Sequence, residues 1–483
     1  MSARGVSGFA GVFLLLCVAT LGAQASSSGP TECSFESGGA LHADSIAGVG
    51  QVVYAGGGVK IRCPARKITI TGDSAERVAG HDQVIGHAVY DEPRLHVTSD
   101  FLTYFPAEER VVAVANVHAK LPNGSTLDGP QAEFRRAVPR IRPRQQVSAI
   151  ARPTINIVEK DSTGKTLEPT TVVANTVFMD GDSLIYGGGQ VIITRTDINS
   201  TSDSVFIDQP NETMHFMRNP TLHGKRDRPF TLTGDLIDAF WHDRKLTRIL
   251  SRANAKAMSD SMTLTSDTLD LRVKNDQLDH AYAWGKKQQS RVVSPQQNMV
   301  ADSLDVFMPG QRIQLVRALR RAFAQGKPDT ARLIIEPPDT TDWLKGDTIV
   351  AHFDTLVARD TSRNPQIRLI TATGHASSFY HMAPNDSAER RPTLSYVTAR
   401  VIEITFGEAK KVASVTTVDS TSGVYLEPAP DSTRRRATNA APATPQVKSI
   451  VPLPTPAPTR PPPATPPAKP PESTPPPSTK PRP

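Results

Sequence analysis

Cysteine is scarce in this chain: three among 483 residues, one of them, Cys17, inside a leading apolar segment. So few thiols exclude a disulfide-stapled miniprotein. No Cys/His group has zinc-ligand spacing. After Leu21 no apolar run is long enough to cross a bilayer as a helix. The nucleophile elbow Gly-x-Ser-x-Gly, a phosphate-cradling glycine loop followed by Lys, and His-Glu-x-x-His are all missing, so no catalytic residue, metal ligand or cofactor site is assigned. Helical periodicity is scarce too. Only Ile313–Ala324 fits it, and the repeat described below favours a strand there.

The charge is present but misplaced for a polyanion binder. The formal net charge is +7, yet Glu427–Pro483 holds eight Lys or Arg against three acids, and Arg4 sits at the start. The part between is close to neutral, without the basic stripe of a nucleic-acid binder. The segment 427–483 is dominated by Pro, Thr, Ala and Ser, with Pro461-Pro462-Pro463 and Pro475-Pro476-Pro477 favouring extended, solvated backbone. It has almost nothing to bury and is expected to be disordered.

At the other end, Arg4, the apolar run Phe9–Leu21 and Ala23-Gln24-Ala25 read as a secretory signal over 1–25. Leu16 before Cys17 disfavours a lipoprotein cleavage site. Export leaves Cys33 and Cys63. An exported pair can close a disulfide, and two free thiols are the alternative.

Between these ends the sequence reads as strand after strand. Val59-Lys60-Ile61-Arg62, Lys67-Ile68-Thr69-Ile70-Thr71 and Gln190-Val191-Ile192-Ile193-Thr194 alternate apolar with polar residues. Six segments share one grammar, an Asp followed by apolar residues two and four positions on. These are Asp100 (Leu102, Tyr104), Asp203 (Val205, Ile207), Asp235 (Ile237, Ala239), Asp267 (Leu269, Leu271), Asp302 (Leu304, Val306) and Asp347 (Ile349, Ala351). A spacing of two sets both side chains on one face.

A second apolar pair, three apart, follows: Val111/Val114, Met214/Met217, Leu246/Ile249, Leu278/Ala281, Ile313/Val316 and Ile367/Ile370. Three is not strand alternation and predicts a bulge or corner. Asn275-Asp276 and His242-Asp243 suit hairpin turns. Weaker units lie at Asp73, Asn175 and Thr398–Ile404. Gly56-Gly57-Gly58 and Gly187-Gly188-Gly189 read as turns or bulges. Self-similarity of this kind marks an array whose units bury their apolar faces on one another.

The recurring Asp is read as architecture. A catalytic site needs one constellation, not six, and an Asp after Ser or Thr can bond nearby amides and fix a turn. Calcium-binding rolls need a short Gly- and Asp-rich period that is absent.

The stretch Leu232–Ala257 (LTGDLIDAFWHDRKLTRILSRANAKA) resembles the repeat of the organic-solvent-tolerance (OstA-like, LptA) family of lipopolysaccharide-transport proteins. It shares the Asp-x-apolar start, the turn, the spaced apolar pair and the closing Ala-Asn-Ala. Related closings stand at Ala115-Asn116-Val117 and Ala372–Ala376. The resemblance covers most of residues 40–426. It implies a β-jellyroll or β-taco with acyl chains in an apolar groove, end strands that pair with other transport components, and a site in the periplasm or at the outer membrane. The lipid-contact candidates are then the inward positions Leu102, Val205, Ile207, Ile237, Ile249, Leu269, Leu271, Leu304, Val306 and Ile349.

The expectation is an all-β, non-enzymatic protein, peripheral to membranes, that binds lipopolysaccharide or a related amphiphile. It would have a repeat block at 26–138, a basic loop at 139–153 with Arg140, Arg142, Arg144 and Arg152, a second block at 154–426, and the tail. The alternatives are an envelope scaffold or adhesin with a packed core, and a secreted carbohydrate-active β-helix enzyme.

Overall fold

Alternating side chains make strands because a period of two gives each segment one apolar face, and that face must find a partner. The computed structural model describes residues 33–428, apart from 162, 226–228, 260–261, 295–296, 329–332, 338–339, 355–365, 383–389 and 408–411. The leading segment 1–25 and nearly all of the tail lie outside these residues. The protein is all-β: among the described residues 32 strands join in one sheet network, and every named pairing is antiparallel. Among the described residues there is no α-helix, only the 3-10 turns Pro64–Arg66 and Pro309–Gln311. The ambiguous Ile313–Ala324 segment is extended. Leu315–Gly326 is a strand between Ser303–Phe307 and Asp342–Phe353.

The longest strands run 10 to 16 residues, and six of them turn a corner near their middle. The corner is a pair of consecutive residues with left-handed φ: Gly86-His87, Ala115-Asn116, Gly189-Gln190, Ala253-Asn254, Arg320-Arg321 and Gly374-His375. At each of them the register with a neighbouring strand slips, as between Arg252 and Ala255 or between Leu319 and Ala322. Such a bulge bends the strand and switches which residue points inward. The closing Ala-Asn-Ala is therefore a corner.

The repeated Asp belongs to that corner, but mostly not through its own turn. Its backbone amide donates to the first corner residue of the next strand (Asp73 to Gly86 O at 2.9 Å, Asp235 to Ala253 O at 2.9 Å, Asp302 to Arg320 O at 3.0 Å). Its carboxylate accepts from the second: Asn116 Nδ2 to Asp100 at 2.7 Å, Asn254 Nδ2 to Asp235 at 3.1 Å, Arg321 Nη2 to Asp302 at 2.6 Å. His87 and His375 meet Asp73 and Asp347 at 2.8 and 3.0 Å. Asp267 also binds forward and not within its own turn, but to backbone amides, accepting from Lys287 N at 2.7 Å and Gln288 N at 3.3 Å. A strand twisted out of the ladder presents its groups to the neighbour, which is why the partner sits one strand away.

A left-handed alanine carries strain that glycine does not. Ala253→Gly, at φ 59°, should raise stability by about 0.5–1 kcal/mol, less glycine's extra chain entropy. A thermal melt showing a loss of stability would mean that the corner is not strained.

Each corner divides its strand into two arms. Arms ending at turns 106–109, 209–212 and 243–244 pair with one another, and arms ending at turns 93–94, 121–125 and 195–197 do the same. The sheet is thereby doubled over around one continuous core, from Ala55 to Ile404. The two rows of turns meet as a mouth opposite the corners.

The segment 139–153, expected as a loop, contains the strand Gln146–Ile150, paired with Thr126–Arg135 and Thr176–Asp180. The sheet runs through it without a break into separate blocks. Its prolines, Pro139, Pro143 and Pro153, flank the strand instead of interrupting its ladder. Cys33 and Cys63 are joined in a disulfide at the N-terminal end of the sheet.

Spacing by three marks real bulges at Leu246/Ile249, Leu278/Ala281 and Ile367/Ile370, where the register skips Thr247, Asp279 and Arg368. It fails elsewhere. Val114 points outward at 39% exposure, while Ala113 is buried with Val111. Phe216 takes the inward place beside Met214, not Met217. Ile313 precedes its strand. The hairpin after His242 turns on Asp243-Arg244, both with left-handed φ, one residue later than expected.

Candidate functional site

All ten lipid-contact candidates lie in the interior, none more than 2% exposed. The repeat spacing places them on the inner face correctly. It does not say which inner positions can be reached. Accessibility is decided at the mouth, by residues in the first or last positions of the strands.

From Arg66 to Arg244 charged groups bridge the mouth. Arg66 Nε donates to Glu109 at 2.7 Å. Arg136 donates to Glu92 at 2.5 Å and to Glu109 at 2.7 Å, and its Nη2 reaches the carbonyl of Arg66. Arg94 pairs with Asp182 at 2.8 Å, although 88 residues separate them. Further along, Arg195 pairs with Glu159 and Asp197, Arg244 pairs with Glu159 and Glu212, and Trp241 Nε1 donates to Asp197 at 3.0 Å. The Arg195 guanidinium also lies over the Trp241 ring, 4.9 Å from its centre. Groups from opposite arms thus form two clasps over a dry core.

From Phe230 onward the lining changes. Among apolar side chains packed on the core but only partly buried, all except Cys33 and Phe35 lie at Phe230 or beyond. Met262, Val273, Leu278, Ile367, Met382 and Phe406 stand at strand ends on both sides of the mouth. A small cavity lined by Ile198, Phe230, Leu246, Val273 and Leu278, with Asp197 and Lys225, marks the change. Sequence reasoning named Leu278 and Ile367 in the spaced pairs but counted none of these six as lipid contacts, because it took those from the positions beside each repeated Asp. The available signal was the last apolar residue before each turn.

The clasp is sensitive to acid. Burial alone would raise the Glu109 carboxyl, but hydrogen bonds from Arg136 and Arg66 hold it below the usual range. A carboxyl depressed in the folded state contributes stability above its unfolded value, about 4.5, and loses it as pH falls through the folded one. Amide exchange at 106–109 and 136–142 should therefore accelerate between about pH 5 and pH 3, ahead of residues 200–208. Uniform acceleration would separate the acid response from this cluster.

Among the described residues no group of three His, Cys, Asp or Glu could hold a metal ion, and no helix is long and apolar enough to cross a membrane. No family model and no curated protein matches the chain. Among solved structures it is similar to LptH, the LptA homologous periplasmic component of the conserved lipopolysaccharide transport device from Pseudomonas aeruginosa. The identity is 15% over 25% of this chain and 84% of that one, with a TM-score of 0.21.

Proposed function

We propose that this chain is a non-enzymatic envelope carrier that holds the acyl chains of lipopolysaccharide or a related amphiphile between the arms of its sheet. The observation that carries the reading is the row of partly exposed apolar side chains at the mouth, all but two of them at Phe230 or beyond. Acyl chains need contiguous apolar walls that open to solvent, and a doubled-over sheet with an apolar mouth supplies them. The sequence resemblance to lipopolysaccharide-transport repeats favours the same ligand. Partners would add strands at the ends. The strands Leu41–Ile46 and Ser422–Leu426 are exposed along their whole length, and among the described residues each pairs with a single neighbour. Such edges favour strand addition.

The test is native mass spectrometry of the full chain taken from an envelope that contains lipopolysaccharide. A co-purifying lipid A-type mass, displaced by added lipopolysaccharide, is the expected result. The variant Leu278→Glu/Ile367→Glu places carboxylates at the mouth and should weaken lipid binding by more than about tenfold with its melting curve nearly unchanged. A lipid-free protein that ignores added lipopolysaccharide would favour an envelope scaffold with a packed core.

A further inference from the structure

We propose that the clasp of Arg66, Glu92, Glu109 and Arg136 is an anion-exchange gate. It opens when a phosphate of an amphiphile headgroup displaces the two glutamates from the two arginines. The inference rests on the carrier reading above and names what the carried molecule must bear.

The geometry differs from that of a simple ion pair. Arg136 is shared, with Nε on Glu92, Nη1 on Glu109 and Nη2 on the carbonyl of Arg66. Arg66 completes the cluster through Glu109. The two guanidiniums therefore lie side by side, held there by two carboxylates of one charge each. A phosphate monoester carries up to two charges and three acceptor oxygens, and bidentate arginine contacts are among the strongest charge-assisted bonds. One phosphate can satisfy both arginines while freeing both glutamates to water.

A second observation points the same way. Tyr90 and Tyr104 are fully buried beside the cluster; the Tyr90 hydroxyl leans on Glu92, while the Tyr104 hydroxyl has no hydrogen-bond partner. Tyr90 ends beside Glu92 and Arg136, and Tyr104 beside Arg66, Glu109 and Arg136. Burial of an unsatisfied hydroxyl is costly. The Tyr104 hydroxyl beside two arginines is a donor short of an acceptor, which a phosphate oxygen would supply. The clasp at Arg195 lacks this character. Its guanidinium is satisfied by Glu159, Asp197 and the Thr170 hydroxyl, and Trp241 closes it. That second clasp is a fixed latch.

Opening would let acyl chains enter the core around Leu102, Val97 and Phe134 through the mouth at this clasp. The same step would couple entry at this end of the sheet to recognition of the headgroup.

The experiment is hydrogen exchange read by mass spectrometry on the full chain with three probes: bisphosphorylated lipid A, the same lipid with its phosphates removed, and inorganic phosphate. With the first probe, exchange at 106–109 and 136–142 should rise at least about tenfold, with no rise from the other two. In Arg66→Gln that response should vanish while protection at residues 262–282 persists. In Glu92→Gln/Glu109→Gln the dephosphorylated lipid should now open the clasp as well, an effect that a merely structural cluster would not show. Lipid A protecting 262–282 while the clasp stays shut would overturn the gate and leave the carrier reading standing. Opening by inorganic phosphate alone would overturn the lipid headgroup as the source. Lipid bound nowhere would overturn both readings.

Discussion

Leu269→Asp should abolish cooperative folding of the central repeats, and Leu304→Asp should do the same. Leu269 is fully buried, paired across the sheet with Ser251 and Ala283, and Leu304 is paired with Ala283 and Ala318. Losing a buried leucine costs about 2–3 kcal/mol. A carboxylate in its place finds no partner and adds several kcal/mol more, or must take up a proton. The sum approaches the roughly 5–15 kcal/mol that holds a whole domain together. In a repeat array each unit leans on its neighbours, so damage at Leu269 should spread to the strands on either side.

Limited proteolysis should cut the variant near 260–305 under conditions where the parent chain survives. Leu319→Asp is the control. Leu319 is 37% exposed and opposes Ser303, and its replacement should change stability by no more than about 0.5 kcal/mol. If the Leu269 and Leu319 variants melt alike, the assignment of inner and outer faces is wrong.

Arg136→Ala is the second large effect, for a different reason. Glu92 is 5% exposed at its side chain and Glu109 is 21% exposed, and both lean on this one guanidinium. Removing one partner of a buried pair leaves an uncompensated charge, at about 3–5 kcal/mol for full burial. Arg136 is itself 23% exposed, so solvent screening brings the expected loss to about 2–3 kcal/mol. The loss should shrink at low pH, where Glu109 takes up a proton. Adding Glu92→Gln and Glu109→Gln should recover much of the stability, because neutral amides tolerate the missing arginine. A triple variant no more stable than Arg136→Ala would show that the arginine acts through packing of its stem instead.

The repeat grammar was readable because it is local. Asp235 with Ile237 and Ala239 fixes a face through alternation alone, and the Ala253-Asn254 closing has relatives at Ala115-Asn116 and Gly374-His375. Even the bulges at Thr247 and Asp279 left a trace, as a spacing of three. The same rule misjudged Val114, because no bulge lies between Val111 and Val114 and plain alternation turns Val114 outward. The strand Gln146–Ile150 was hidden by the arginines and prolines around it, whose turn chemistry outweighed a short alternating run.

The sequence by itself determined the all-β class, the inner face beside each repeated Asp and the structural role of that Asp, since each follows from contacts within a strand or with the next one. The tertiary structure alone decided where the mouth is shut and where it is apolar. Arg94 finds Asp182 across 88 residues, and Glu159 finds Arg244 across 85. Such meetings depend on twist and stagger accumulated over many strands, and no local spacing encodes them. The candidate site lies there, at the strand ends, where the folded sheet closes on itself.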